Sequence, residues 1–431
     1  MTSTSGRSAA PLVTTLCWAL VVFDGYDLIV YGTVLPRLLE EPDWGLTRTT
    51  AGLLGSLAFA GMLAGAMLAG RLADSMGRRR TVLACTAWFS VFTAACAIAP
   101  DPATFGAFRL LAGLGLGGLV PSASALAAEY VRPRHRSLVS TLMMSGVPIG
   151  GTLAALIGLF VLPGHGWETM FLLALVAVVV VLPLAAWLLP ESPSWLRARG
   201  RVEEAAALEA RFGLSPETQP APGARQGFRA LVDGRYLRAT VLYAAATLAT
   251  LFAWYGLGTW LPQLMRENGF DLGSSLTFLL ALNLGAVGGS VVTAFAGVRI
   301  GPARAAVTAA AAAALGLLAL LAHPGPAVVY VALVLAGVGT HGSQCLIIAA
   351  VADHYPAYLR ASALGSALGV GRIGAVLAPQ AGGWLLAAGL GVDANFLAFA
   401  LAAAIAAVLL AACARLTPST VVRTPKGATA P

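Results

Sequence analysis

The stretch Phe23-Asp24-Gly25-Tyr26-Asp27-Leu28-Ile29-Val30-Tyr31-Gly32 lies inside the first long apolar run of the chain. At about 1.5 Å per helical residue, Asp24 falls roughly 18 Å into that run, near the middle of a ~30 Å hydrocarbon layer. A carboxylate at that depth costs about 2.5–3.5 kcal/mol, so it is retained for a partner or for a task. Asp24 and Asp27 are spaced i, i+3, and Tyr31 follows four residues after Asp27. That spacing puts the three on one helix face, which is expected to look into a bundle interior. Two readings follow: a polar anchor that pairs with another helix, or part of a working site.

Composition sets the frame for that helix. The 431 residues are 58% hydrophobic and only 11% charged, with a mean hydropathy of +0.81. A soluble chain carries about a quarter charged residues, so this is an all-α integral membrane protein whose first partner is the lipid bilayer. The net charge of +8 then reports orientation, not nucleic-acid binding. Cys17, Cys85, Cys96, Cys345 and Cys413 all fall in apolar runs without metal-ligand spacing, and read as small core residues. No metal site or cofactor motif is present in the pattern. The first apolar run outlasts a signal peptide and carries the acids, so no cleavable leader is expected. Lys426 is the single lysine in a chain rich in Arg, Ala and Gly, a bias that suggests a GC-rich bacterial genome and hence the inner (cytoplasmic) membrane.

Apolar runs bounded by charge, Pro or Gly give twelve spans: 12–38, 49–70, 81–100, 104–129, 138–161, 168–189, 238–264, 273–297, 302–322, 326–352, 360–388 and 393–414. A polar segment rich in Arg and Glu separates the sixth from the seventh. The chain is therefore divided into a six-helix bundle over 1–190, a linker loop with a short helix over 191–237, and a second six-helix bundle with its tail over 238–431. Two sets of six suggest the parallel-repeat plan of one large transporter class. Of the 27 Lys and Arg, Arg37, Arg48 and Arg266 fall on one side of the membrane and Arg109 and Arg372 within it. The rest fall on the side of the termini and the linker, which the positive-inside rule makes cytoplasmic.

The loop after the second span reads Gly70-Arg71-Leu72-Ala73-Asp74-Ser75-Met76-Gly77-Arg78-Arg79-Arg80. Its glycines permit a tight turn, and Asp74 is placed to cap a helix start or to pair with basic groups. In motif, loop position, span count and topology the chain resembles the major facilitator superfamily, whose G-x-L-x-D-x-x-G-R-R/K loop this is. The resemblance implies two pseudo-symmetric six-helix halves and transport by alternating access.

Further stretches carry charge at telling places. The fourth span holds Arg109 beside Gly113, Gly115, Gly117 and Gly118; the small residues let another helix approach, and the planar guanidinium suits a carboxylate. Arg109 can meet an Asp of the first span, as a structural pair, as a coupling device that breaks and re-forms, or as both. Glu129 and Arg136 resemble the E-x6-R element that closes the same superfamily's cytoplasmic face. Pro190-Glu191-Ser192-Pro193-Ser194-Trp195-Leu196 is close to the P-E-S-P-x-W-L signature of sugar porters and several organic-acid symporters. With Gly70, Asp74, Gly77 and Arg78, these residues are expected to gate; as fixed surface pairs they would each contribute only about 0–1 kcal/mol. Arg201–Phe212 reads as a short helix with Glu203, Glu204 and Glu209 exposed. Gly146-Val147-Pro148-Ile149-Gly150-Gly151 in the fifth span reads as close helix packing; it also resembles the Gly-Pro motif of drug/proton antiporters, which keeps antiport as an alternative.

The second half supplies lining. On the seventh span, Trp260 near the outer end reads as an interfacial belt residue, and the deeper Tyr255 as a pocket candidate. The tenth span carries Gly339-Thr340-His341-Gly342-Ser343-Gln344, an unusually polar cluster at membrane depth. His341 suits either a proton path or a hydrogen-bonded packing role. Tyr355-Pro356-Ala357-Tyr358-Leu359-Arg360-Ala361 leads to Gly369-Val370-Gly371-Arg372-Ile373-Gly374. With D-G-Y-D in the first span, these resemble the Y-P-x-x-x-R-A and G-x-G-R-x-G elements of the aromatic acid:H+ symporter family, over residues 12–415. The resemblance implicates Asp24, Asp27, Arg109, Glu129, Arg360 and Arg372 in transport. One departure is the loop Gly297–Pro302, which lacks the acid that the repeated loop motif often keeps.

The expected function is a proton-coupled symporter importing small aromatic carboxylates such as benzoate and its hydroxylated relatives, working as a monomer and not as an enzyme. Arg109 or Arg372 supplies the positive charge for the carboxylate. Tyr26, Tyr31 and Tyr255 offer aromatic walls, His341 and Gln344 polar contacts, and Asp24 or Asp27 the proton carrier. A symporter of another organic anion or a sugar, and a drug antiporter, remain open. A membrane receptor would bring a soluble signalling domain, and an intramembrane enzyme a nucleophile–base pair; neither is seen.

Overall fold

A computed structural model describes residues 9–132, 135–214, 228–231 and 234–416. The tail beyond residue 416, with Lys426, and linker residues 215–227 and 232–233 lie outside the described residues. Among the described residues, twelve helices are long and apolar enough to cross a membrane. In hydrocarbon every backbone N–H and C=O must be paired within its own segment, which leaves a helix as the solution for each run. In chain order the spans are Ala9–Leu39, Arg48–Met76, Arg78–Ala95, Pro102–Glu129, Arg136–Val161, Glu168–Leu188, Leu237–Glu267, Leu272–Ile300, Pro302–Leu320, Pro326–His354, Ala357–Ala387 and Gly391–Leu416. The sixth departs from the continuous helix expected. It passes through a π-helical turn, Ala177–Val181, just before Pro183. Proline has no N–H to return to the preceding turn, and the widened turn absorbs that loss.

Local chemistry fixes where the helices begin, and it repeats between the halves. At the face poor in arginine, Thr47 accepts from the Thr50 amide (3.1 Å) to start the second span, and Asp271 accepts from the Ser274 amide (3.0 Å) to start the eighth. Asp101 accepts from the Ala103 and Thr104 amides (2.8 and 2.9 Å) at the start of the fourth. The Thr104 backbone and hydroxyl bonds hold the Asp101 carboxyl below its usual range. At the arginine-rich face, Gly77 (φ 96°) turns the chain into the third span and Gly301 (φ 88°) into the ninth. Both are left-handed positions that L side chains resist.

Packing follows the same repeat. The second span lies along the fourth and the first along the fifth, as the eighth lies along the tenth and the seventh along the eleventh. Glycine makes these contacts close: a Cβ at Gly113 would fall on the Ala58 carbonyl, and one at Gly25 on the Val147 backbone. The halves meet through the second span against the eleventh and the fifth against the eighth, with the first against the seventh.

That meeting is tight at the arginine-poor face. A Cβ at Gly32 would strike the Gly258 carbonyl, and one at Gly52 lies 2.8 Å from the Pro379 carbonyl. Trp260 Nε1 donates to the Pro379 carbonyl at 2.8 Å, and two ion pairs, Arg266–Glu40 (2.5 Å) and Arg48–Glu267 (3.0 Å), join the halves at the rim. Trp260 is 0% exposed. It is a buried strut between halves and not the interfacial belt residue expected from its position near a helix end.

Candidate functional site

Between the halves lies a cavity of about 550 Å³. The first, second, fourth and fifth spans line it from one side, and the seventh, tenth and eleventh from the other. It begins at Asp24, Leu28, Tyr255 and Arg372, at mid-membrane, and continues past Met67, Ser124, Ser140 and Leu364 toward the arginine-rich face. The cavity is thus closed at one face and reaches toward the other.

The residues singled out in the sequence divide into two groups. Asp24, Tyr255, His341, Gln344 and Arg372 share the cavity. Asp27, Arg109, Tyr26 and Tyr31 do not line it. They are sealed within the packing around the first span, with Tyr26 Oη donating to the Met170 carbonyl (2.8 Å) and Tyr31 Oη to the Ala51 carbonyl (2.6 Å). The common face expected for Asp24, Asp27 and Tyr31 therefore splits. Residues three apart on a helix differ by about 60° in direction, enough here to send one acid to the cavity and the other into the bundle wall.

The two acids have opposite surroundings. Asp27 accepts from Thr93 Oγ1 at 2.5 Å and faces Arg109 Nη1 through both carboxylate oxygens, at 3.2 and 3.3 Å. Arg109 is 1% exposed, and its guanidinium lies 5.6 Å from the Tyr31 ring. Asp24 is 0% exposed, and neither of its carboxylate oxygens has a hydrogen-bond partner among the described residues. Arg372, partly buried on the eleventh span, is the cation whose charge acts on Asp24. No ion pair within 4.0 Å joins them among the described residues.

Aromatic side chains wall the space. Tyr255 packs on Phe59, with ring centroids 4.5 Å apart, and Trp254 on His341 at 5.4 Å. Trp254, Met144 and Thr340 line the site too. The sequence signal for Trp254 was its place beside Tyr255; Met144 carried none, being one apolar residue among many.

The residues expected to gate lie at the arginine-rich face. Gly77 leaves room for the Glu191 carboxylate, which accepts from the Arg79 and Ser192 amides, both at 2.9 Å. Glu129 pairs with Arg78 and accepts from Ser192 Oγ at 2.8 Å. Trp195 Nε1 and Arg199 donate to the Asp74 carbonyl at 3.0 and 2.9 Å. The Arg79–Glu191, Ser192–Glu129, Trp195–Asp74 and Arg199–Asp74 contacts join the first half to the start of the linker. Three expectations need correcting. Gly70 lies inside the second helix, which runs to Met76, so the turn is made by Gly77 alone. Asp74 stands in the last turn of that helix and caps no start. Glu209 is 8% exposed and pairs with Arg197, because the linker helix Val202–Phe212 lays that face on the protein. Arg136 begins the fifth span. Arg360, in the second half, donates to the Tyr355 carbonyl at 3.0 Å.

Two six-helix halves closed at one face around a largely apolar, aromatic-walled cavity that holds Asp24 and Arg372 define a membrane transporter. The model of the Major Facilitator Superfamily matches residues 17–379 and 283–430. The gentisate transporter of Corynebacterium glutamicum is 51% identical over 415 residues, covering 96% of this chain and 89% of the relative. The benzoate transport protein of Acinetobacter baylyi is 33% identical over 411 residues, covering 92% and 88%. A crystal structure of a D-xylose-proton symporter superposes with a TM-score of 0.75 at 16% identity, covering 94% and 97% of the two chains. The chain belongs to the aromatic acid transporter family of the Major Facilitator Superfamily.

Proposed function

We propose that this transporter brings small aromatic carboxylates into the cell together with a proton, binding both in the central cavity. One observation carries the reading: a cation, Arg372, and a buried carboxylate, Asp24, without a hydrogen-bonded partner among the described residues, face one space walled by Tyr255 and Trp254. The relatives named for gentisate and benzoate support an aromatic acid as substrate. The arginine-rich face is cytoplasmic by the positive-inside rule, so the termini are cytoplasmic and the cavity described is open inward. The bilayer is the bacterial inner membrane, and each monomer carries a complete site.

The two acids then have different jobs. Asp27 serves as the fixed partner of Arg109 and holds the first half rigid. Asp24 carries the proton. While Asp24 is neutral, Arg372 is free to pair with the substrate carboxylate, and the loaded site has no excess charge to carry across. When the cavity faces the cytoplasm Asp24 loses its proton, and its carboxylate competes with the substrate for Arg372. Substrate and proton therefore leave together. Gly77, Arg78, Glu129, Glu191 and Arg136 in the first half, and Arg360 in the second, act at the face that must close in the return state.

Uptake into proteoliposomes tests this reading. Labelled gentisate is expected to accumulate when the outside is acidified, to be competed by benzoate, and to equilibrate only when the gradient is collapsed. Accumulation indifferent to the proton gradient would remove the symport reading, and failure of aromatic acids to compete would remove the substrate class.

A further inference from the structure

Two clusters stand out among the polar groups of the cavity. One is Asp24 and Arg372 with Tyr255; the other is His341 and Gln344 on the tenth span, with His341 against Trp254. The second cluster holds unspent hydrogen-bonding capacity. His341 is 6% exposed and Gln344 8%, yet Nε2 of His341 and both amide atoms of Gln344 have no hydrogen-bond partner among the described residues. Met144, across the junction of the halves, lines the same space as His341. A neutral imidazole with its proton on Nδ1 presents Nε2 as an acceptor. Gln344 follows three residues later on the same helix face and offers both a donor and an acceptor. Buried polar groups are nearly always paired, and an unpaired one costs about 1–3 kcal/mol, so such a pair is kept for a ligand.

We infer that His341 and Gln344 read a ring hydroxyl of the substrate, so that the cavity selects hydroxylated benzoates over benzoate itself. The inference rests on the aromatic carboxylate reading above and goes beyond it. With the carboxylate on Arg372 and the ring between the aromatic walls, a hydroxyl placed meta or para to the carboxylate projects away from it, toward the second cluster. Nε2 of His341 accepts the hydroxyl proton, and the Gln344 amide donates to the hydroxyl oxygen. A benzoate without the hydroxyl leaves both groups unpaired, which is how a polar pocket rejects an analogue lacking its partner.

The test compares affinities of gentisate, 3-hydroxybenzoate and benzoate for purified protein, in wild type and in Gln344→Leu and His341→Phe. Wild type is expected to prefer both hydroxylated acids by roughly 10-fold or more, the worth of one hydrogen bond in a partly wet site. Each variant is expected to erase most of that preference, bringing the ratio to within about threefold of unity. An equal loss of affinity for all three acids would overturn the inference and make the two residues structural. A preference that survives both substitutions would overturn it as well. Binding of none of the three acids by wild type would instead refute the substrate class, and is seen before any variant is compared.

Discussion

Removing the Asp27 carboxylate strands a cation. In Asp27→Asn the guanidinium of Arg109, 1% exposed, loses both carboxylate contacts and keeps the 3.5 Å approach to the Asp27 carbonyl and the Tyr31 ring. Breaking a buried pair from one side costs about 3–5 kcal/mol, because the charge left behind stays desolvated. Asp24→Asn is the matched control. It exchanges a carboxylate with no hydrogen-bond partner among the described residues for a neutral amide of the same shape. Its cost is expected to stay within about 1 kcal/mol, or to be favourable. Removing both charges, in Asp27→Asn with Arg109→Met, is expected to recover more than half of the single-variant loss, as buried pairs replaced together often do. The assay is an unfolding titration of purified protein in mixed micelles, followed by tryptophan fluorescence. A stable Asp27→Asn beside an unstable Asp24→Asn would refute the division of roles between the two acids.

Two further expectations concern the closed face. Glu40→Gln with Glu267→Gln removes the rim pairs to Arg266 and Arg48; exposed pairs are worth about 0–1 kcal/mol each, so with both gone the equilibrium is expected to move up to about thirtyfold toward opening there. Thiol labelling of Thr259→Cys, buried at that closure, measures it, and an unchanged labelling rate counts against the rim pairs as a latch. Gly32→Leu places a side chain where the Gly258 carbonyl stands. It is expected to hold that face open, abolishing uptake while substrate still binds from that side; wild-type uptake would show that the two helices need not touch.

The sequence carried the architecture because hydrocarbon permits so few solutions. Twelve apolar runs could only be helices, and the arginines sorted the loops by side. The meeting of Arg109 with an acid of the first span was legible for the same reason, since few charges lie at membrane depth. Which acid it meets was not legible. Asp24 and Asp27 share a helix, and their fates differ by the direction in which each leaves it. Trp260 looked interfacial because depth along a helix says nothing about azimuth; its indole is turned toward Pro379. Glu40 and Arg266 are 226 residues apart, and no local pattern announces such a pair. Glu209 looked exposed because a charged residue on a short linker helix usually is, and only the docking of that helix, with Arg197 beside it, buries it.

The most direct test of the account is proton-driven accumulation against exchange in Asp24→Asn. In proteoliposomes, labelled gentisate is expected to exchange with internal gentisate at a rate within a few-fold of wild type, since Arg372 is intact, while accumulation driven by an acid exterior disappears. Accumulation that persists in Asp24→Asn would contradict the account and move the proton to another group.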